Sequence, residues 1–287
     1  MAAVLLACAS AALFGAMSVA VRFAIREYDD AELGSLAMSS VALALTGAIG
    51  LVAAHGADLA DAWPFVIAGV IAPGASQIFF VRAVRDAGAA RTSVLMGTAP
   101  LVAVAIALTV LGEPVSAALL AGGALIVAGG VALANERVRP QDFRRLGVLF
   151  AVVATVLFAV RDNVLRVIAK DSDVHPLVAA PVSLLAGAAT VALYLAVTRR
   201  GSFAPGYGRA VRAFAAAGVF FGLSYAMLFE AYYRGRVSVV APLVATESLW
   251  GVAFSALLLR RSELVGRRLV LGAMLIVAGG VLIGVSR

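Results

Sequence analysis

Charge is scarce in this sequence: Asp, Glu, Lys and Arg fill only 14% of its 287 positions while hydrophobic residues fill 63%, and an ordinary soluble domain carries roughly 25% charge. Too few polar side chains remain to cover a water-exposed surface, which excludes a soluble globular domain. Cysteine is nearly absent. Its single copy, Cys8, lies inside the first apolar run, so no disulfide framework and no cysteine-rich metal site is expected. The two histidines, His55 and His175, stand in loops of different halves, so neither an HExxH helix nor a paired-histidine metal site exists. A GxSxG elbow and a Walker loop are missing as well, which argues against an enzyme and against ATP-driven pumping by this chain. The expectation is no catalytic residue, no cofactor and no metal. Lysine occurs once. The other 22 of the 23 basic residues are arginines, most of them in short segments between apolar runs. Despite a net charge of +7, that distribution sets membrane orientation and is no nucleic-acid stripe.

What is present is a series of apolar runs of about 17 to 23 residues, the length that crosses a hydrocarbon core of ~30 Å at 1.5 Å rise per residue. Predicted spans cover about 2–23, 33–54, 64–84, 92–111, 115–134, 146–168, 176–198, 211–232, 238–259 and 264–285. The fold class is thus an all-α polytopic membrane protein with ten transmembrane helices. The run from Ala2 to Val21 lacks a basic segment ahead of it, so it reads as a retained first helix and not as a cleaved signal. Pro64 after Trp63 and Pro176 after His175 stand where a helix's first turn tolerates proline.

An internal repeat organises the chain. Leu125-Ile126-Val127-Ala128-Gly129-Gly130-Val131 recurs unchanged as Leu275-Ile276-Val277-Ala278-Gly279-Gly280-Val281, an offset of 150. Glu113 meets Glu263 at the same offset, Thr98 meets Thr246 and Gln77 meets Tyr225 at 148, and Leu13-Phe14 with Arg22 meets Leu157-Phe158 with Arg166 at 144. The repeats are read as residues 1–135 and 146–287, joined by a charged connection over 136–145. Five spans per repeat is an odd number, so the second must enter the membrane from the opposite side. Inverted repeats can exchange conformations, which gives alternating access around a central cavity near the bilayer midplane.

These residues resemble the EamA-type members of the drug/metabolite transporter superfamily. The matching features are Pro100 in the fourth span, the Leu111-Gly112-Glu113-Pro114 turn, and the Leu-Ile-Val-Ala-Gly-Gly-Val motif in the fifth and tenth spans. The likeness covers essentially the whole chain. It departs in the second half, where Ser248 stands for Pro100 and Arg260-Arg261-Ser262-Glu263 for the Gly-Glu-Pro turn, so a hinge at Pro100 is not duplicated. The resemblance implies a secondary transporter exporting small organic metabolites, amino acids and aromatic ones among them. Its alternative is a proton-coupled multidrug efflux protein.

Ionisable side chains at bilayer depth cost roughly 2.5–3.5 kcal/mol on insertion scales, so each is read as paired or functional. Glu247 lies about nine residues into its span, about 13 Å deep at ~1.5 Å per residue, and is the first candidate for cavity lining or proton coupling. Arg161, about five residues from the end of its span, and Glu230, near the end of its own on the same membrane side, lie at a depth similar to each other, which predicts a salt bridge between them. Glu230 is the other candidate to carry a proton. Alternatively Asp162 pairs with Arg166 one helical turn on, leaving Arg161 free for a substrate carboxylate. Asn163, Gln77 and Tyr225 offer hydrogen bonds to a ligand. The hydroxyls of Thr98 and Thr246 serve either a ligand or their own helix carbonyls. Tyr225 and Trp250 are too deep for an interfacial belt and suit the wall of a site for an amphipathic ligand, lipid-facing packing being the plainer alternative. Gly280 with Gly284, and Gly130 with Ala134, predict close helix packing.

Loops after the first, third, fifth, seventh and ninth spans hold about 1, 3, 4, 4 and 4 basic residues, the others far fewer, which puts those loops in the cytoplasm and both termini in the periplasm of a bacterial inner membrane. Both halves are present in one chain, so a monomer suffices, with a small-molecule substrate and the lipid bilayer as its partners.

Overall fold

A computed structural model of the chain describes residues 1–54, 60–109, 116–136, 143–170, 172–199, 204–234, 240, 243–259 and 263–285. The Leu111–Pro114 turn and Arg260–Ser262 lie outside them, as does most of the charged connection. The helices are α1 (Ala2–Glu27), α2 (Ala31–Ala53), α3 (Pro64–Gly69), α4 (Ser76–Ala87), α5 (Ala89–Met96), α6 (Ala99–Thr109), α7 (Ala117–Ala134), α8 (Arg145–Lys170), α9 (Pro176–Thr198), α10 (Ala204–Arg234), α11 (Glu247–Phe254) and α12 (Arg267–Val285), and no strand occurs among the described residues. A chain this apolar must satisfy its own backbone N–H and C=O groups, and helices do so segment by segment. Polar side chains then close the helix starts. Asp30 accepts from the Leu33 N–H at 3.0 Å ahead of α2, and Ser116 from the Leu119 N–H at 3.2 Å ahead of α7. His175 Nδ1 accepts from the Leu177 N–H at 3.2 Å ahead of α9. Each cap answers a donor that has no partner within the helix.

Seven helical stretches are long and apolar enough to cross a membrane: Ala2–Glu27, Ala31–Ala53, Pro64–Ala87, Ala117–Ala134, Arg145–Leu165, Pro176–Thr198 and Gly206–Arg234. The fourth and ninth predicted spans fall outside this set because each is interrupted, at Gly97–Thr98 and at Ala245–Thr246. The tenth is α12, 19 residues opening on Arg267 and Arg268.

The most extensive helix pairings, α1 with α10, α7 with α12, α2 with α10 and α9, and α4 with α8, all join residues before 136 to residues after 143. The two sequence repeats are therefore interleaved. The α1–α10 pairing has its counterpart in α4–α8, and equivalent residues meet where the repeats touch. Phe14 and Phe158 stand edge to face with centroids 6.0 Å apart.

Along α7 and α12 the approach is backbone to backbone. A Cβ on Gly122 would lie 2.7 Å from the Gly279 carbonyl oxygen, and one on Gly279 2.5 Å from that of Gly122. Gly129 and Gly272 are related in the same reciprocal way, at 2.6 and 2.9 Å, so the two helices run antiparallel. The expected seam was Gly130 with Ala134 and Gly280 with Gly284. Gly130 instead faces open space and Gly280 touches Ala245 and Pro100, while the Gly284 side lies outside the description. One residue along a helix turns the face by about 100°, enough to move the seam from Gly130 to Gly129.

Candidate functional site

The site is built where the third predicted span breaks. Pro73 has no N–H to continue the helix, and Ala72 ahead of it leaves helical geometry at φ −149° and ψ 124°, so the Ala72 carbonyl is turned out of the ladder. The Tyr225 hydroxyl, carried by the uninterrupted α10, donates to that carbonyl at 3.3 Å. Ser183 reaches the same hydroxyl at 3.0 Å, because α3 and α9 pack so closely at Gly69 that a Cβ there would lie 2.2 Å from the Ser183 carbonyl oxygen. Arg161 on α8 completes the cluster, its Nη1 donating to Tyr225 Oη at 2.8 Å. The hydrogens balance: the phenol gives its one proton to Ala72 and accepts from Arg161 and Ser183. With its residue only 3% exposed, the guanidinium also has Asp162 Oδ1 2.9 Å from its Nε. It lies 5.2 Å from the Tyr225 ring centroid and 5.3 Å from that of Phe158, within reach of cation–π attraction. Phe221 and Phe229 flank Tyr225 with centroids at 5.5 and 5.0 Å.

The salt bridge expected between Arg161 and Glu230 does not form. Arg161 pairs with its chain neighbour Asp162, and Glu230 pairs with Arg234 at 2.5 Å one turn along its own helix. Each acid finds a local cation on its own helix, leaving no need for the bridge between helices. Arg161 is thus engaged and not free, and the side chain of Arg166 lies outside the description.

Glu247 is buried and opens α11 directly after the Ala245–Thr246 break. A helix's first turn favours a carboxylate. Arg161 and Asp162 are near enough for their charges to act on it, and among the described residues it makes no hydrogen bond or ion pair. The two threonines take the self-bonded alternative in identical geometry: Thr98 Oγ1 donates to Leu95 O and Thr246 Oγ1 to Leu243 O, both at 2.6 Å. Pro100 sits in the first turn of α6 beyond the Thr98 break, yet the second half breaks at the matching place with Ser248 there. The threonine bond is common to both breaks and the proline is not. Asn163 donates to its own helix at Ala159 O, 2.8 Å away. Trp250 is 40% exposed and stacks on Phe254 along its own helix, with no ring contact to the Tyr225 group among the described residues. Gln77 is fully buried, with Nε2 4.0 Å from Met38 Sδ and with Oε1 unpartnered.

Sequence reading missed Ser183 and the Ala72–Pro73 break, although a proline in the middle of a predicted span is the signal for such a break. It also missed a second set of buried ions at one end of the bundle. Arg22 Nε lies 3.1 Å from Glu263 Oε1, and Arg22 Nη1 donates to the Arg85 carbonyl at 2.7 Å. The Glu263 carboxylate accepts from the N–H groups of Ala89 at 3.2 Å and Ala90 at 3.4 Å. Nearby, Arg199 binds Asp30 at 2.6 Å and Glu32 at 2.5 Å, and Arg82 also pairs with Glu32. Partial burial raises the Asp30 carboxyl, but the Arg199 hydrogen bond and the Leu33 N–H outweigh it and hold the group below its ordinary value.

Set against known proteins, the sequence matches the profile of the EamA-like transporter family over residues 1–135 and 145–285. No curated protein sequence matches it. A solved crystal structure, described only as that of a protein, is similar over 98% of this chain and 95% of its own, with a TM-score of 0.61 at 22% identity. That likeness speaks for the fold alone.

Proposed function

Because the chain belongs to the EamA-like transporter family, we propose that it is a secondary transporter exporting small organic metabolites, foremost amino acids and aromatic ones among them, by alternating access. In this reading residues 1–135 and 146–287 are two inverted five-helix repeats making ten crossings. The arginine-rich loops face the cytoplasm of a bacterial inner membrane, both termini face the periplasm, and the chain works as a monomer without cofactor, metal or ATP.

The observation that carries the mechanism is reciprocity. The Gly122/Gly279 and Gly129/Gly272 contacts are equivalent under exchange of the repeats, and the breaks at Thr98 and Thr246 are closed by the same bond. Discontinuous helices paired across two antiparallel halves are the arrangement in which transporters place substrate at the midplane. In this reading the site takes in Arg161, Tyr225 and Glu247, a cation, a phenol and a carboxylate, with Phe221 and Phe229 flanking Tyr225. Such a set suits a small amphipathic ligand with charged ends. The absence of a partner for Glu247 among the described residues favours a second reading, in which this carboxylate carries a proton in exchange for cationic drugs.

Export decides between them. Cells expressing the protein are loaded with dipeptides, and the free amino acids appearing outside are compared with those from a Glu247→Ala strain. Selective efflux of one class, lost in the variant, supports amino-acid export with a site near α11. Efflux no greater than from empty cells rules that substrate out, and resistance to organic cations in the same strain then supports the drug reading.

A further inference from the structure

We propose that the tip of the α4–α5 hairpin is a gate at the arginine-rich end of the bundle, with Glu263 as its bolt; the proposal rests on the alternating-access reading above. The hairpin belongs to the first repeat, and the groups that hold its tip come from α1 and the second repeat. Gly88 turns the chain at φ +92°, and a Cβ on it would lie 2.3 Å from Glu263 Oε2. Gly147 of α8 is pressed against the other side, where a Cβ would lie 2.5 Å from the Ala87 nitrogen. The Arg144 N–H donates to the Asp86 carbonyl at 2.7 Å. Tip and second repeat touch with no room for a methyl group between them.

One ion pair grips both arms of the hairpin. Glu263, fully buried, binds the two free N–H groups that open α5, and Arg22 binds the Val84 and Arg85 carbonyls that end α4. Each charge has the sign that its helix end favours. Arg91 Nη1 adds a bond to the Glu263 carbonyl at 3.0 Å. All these bonds depend on dryness. Inside a protein, charge-assisted hydrogen bonds are strong, while in water the same groups are answered by solvent. Parting the hairpin from Glu263 and α8 admits water to the whole set at once, so the contact is either shut or open, with little between. The Arg82–Glu32–Arg199–Asp30 chain ties the α4 arm to α2 and α9 a short way before the tip, so the part that opens is the tip beyond Arg82.

The experiment uses two reporter cysteines in a Cys8→Ser background: Thr92→Cys, buried one turn inward from the tip, and Val244→Cys, one turn before Glu247 toward the opposite end. Labelling by a hydrophilic maleimide is followed on purified protein in detergent. Glu263→Gln removes the bolt's charge. Gly88→Ala leaves every charge in place, pushes the carboxylate aside and strains the turn at φ +92°. Both raise the labelling rate at Thr92→Cys by about tenfold, the size of a modest population shift, and lower it at Val244→Cys. If neither raises labelling at Thr92→Cys while the protein stays folded and monodisperse, the gate is overturned. If Thr92→Cys opens and Val244→Cys does not change, the gate stands and alternating access fails. Gly88→Ala decides the question if Glu263→Gln does not fold.

Discussion

The two repeats leave the same pair of polar positions in opposite bonding states. Ser183 and Tyr225 meet at 3.0 Å and share their bond with Arg161 and Ala72. Ser39 and Gln77 stand 144 and 148 residues earlier (183 − 39 and 225 − 77), are just as buried, and leave Oγ and Oε1 without a partner. An unanswered buried polar atom costs about 1–3 kcal/mol, whereas a bond to a charged group contributes about 1.5–3 kcal/mol. The frame of the repeat is therefore shared and its polar chemistry is not. The second half has closed its polar atoms around a buried cation, and the first half has left them open.

The most severe way to break this comparison is to remove the cation. Arg161→Leu takes the cation away from Asp162 and one donor away from the Tyr225 hydroxyl, and should cost about 3–5 kcal/mol, as for a buried ion pair that loses one member; unfolding of the purified protein in detergent measures it. Tyr225→Phe removes the hydroxyl that accepts from Arg161 and Ser183 and donates to Ala72 and should cost about 1.5–3 kcal/mol, while Gln77→Leu at the matching position should be neutral or stabilising. Equal losses from the two would mean that Gln77 has a partner and that the halves are not different after all. A finer test is coupling. Ser183→Ala and Tyr225→Phe together should deviate from additivity by at least ~0.5 kcal/mol, and Ser39→Ala with Gln77→Leu should add to within ~0.5 kcal/mol.

The smallest effect concerns the end of the bundle. Because Arg199 and the Leu33 N–H lower the Asp30 carboxyl, its contribution is complete above the ordinary carboxylate value and is lost as pH falls through the lower folded one. Asp30→Asn should lower the neutral plateau of a stability–pH curve and flatten its acid limb, leaving stability nearly unchanged below the folded value.

Sequence made the correspondences legible and left the partners hidden. Thr98 with Thr246, Phe14 with Phe158 and Gln77 with Tyr225 were found by offset alone, since duplication preserves order whatever the packing. Whether Arg161 turns to Asp162 or to Glu230, and whether Gly129 or Gly130 faces the seam, depends on helix rotation of about 100° per residue. An offset carries no information about rotation. Glu263 was read only as the repeat counterpart of Glu113, although it lies at the centre of the buried ions near Gly88. Its partners, Arg22, Ala89 and Ala90, are more than 170 residues away along the chain, a separation at which no local pattern speaks. Trp250 was placed by depth, but depth does not say which way a ring faces, and the ring stacks along its own helix, partly exposed.

The α7–α12 seam has the form of an isologous contact, the kind by which identical subunits join across a two-fold axis, here enclosed in a single chain. In a true homodimer one substitution alters both sides of such a contact. In this chain a substitution at Gly122 leaves its repeat counterpart Gly272 unaltered (122 + 150 = 272), so the full consequence of changing that surface appears only when both positions are changed. Each copy of the seam is thus shielded by the other, and the two sequences are free to drift apart everywhere except where their backbones touch.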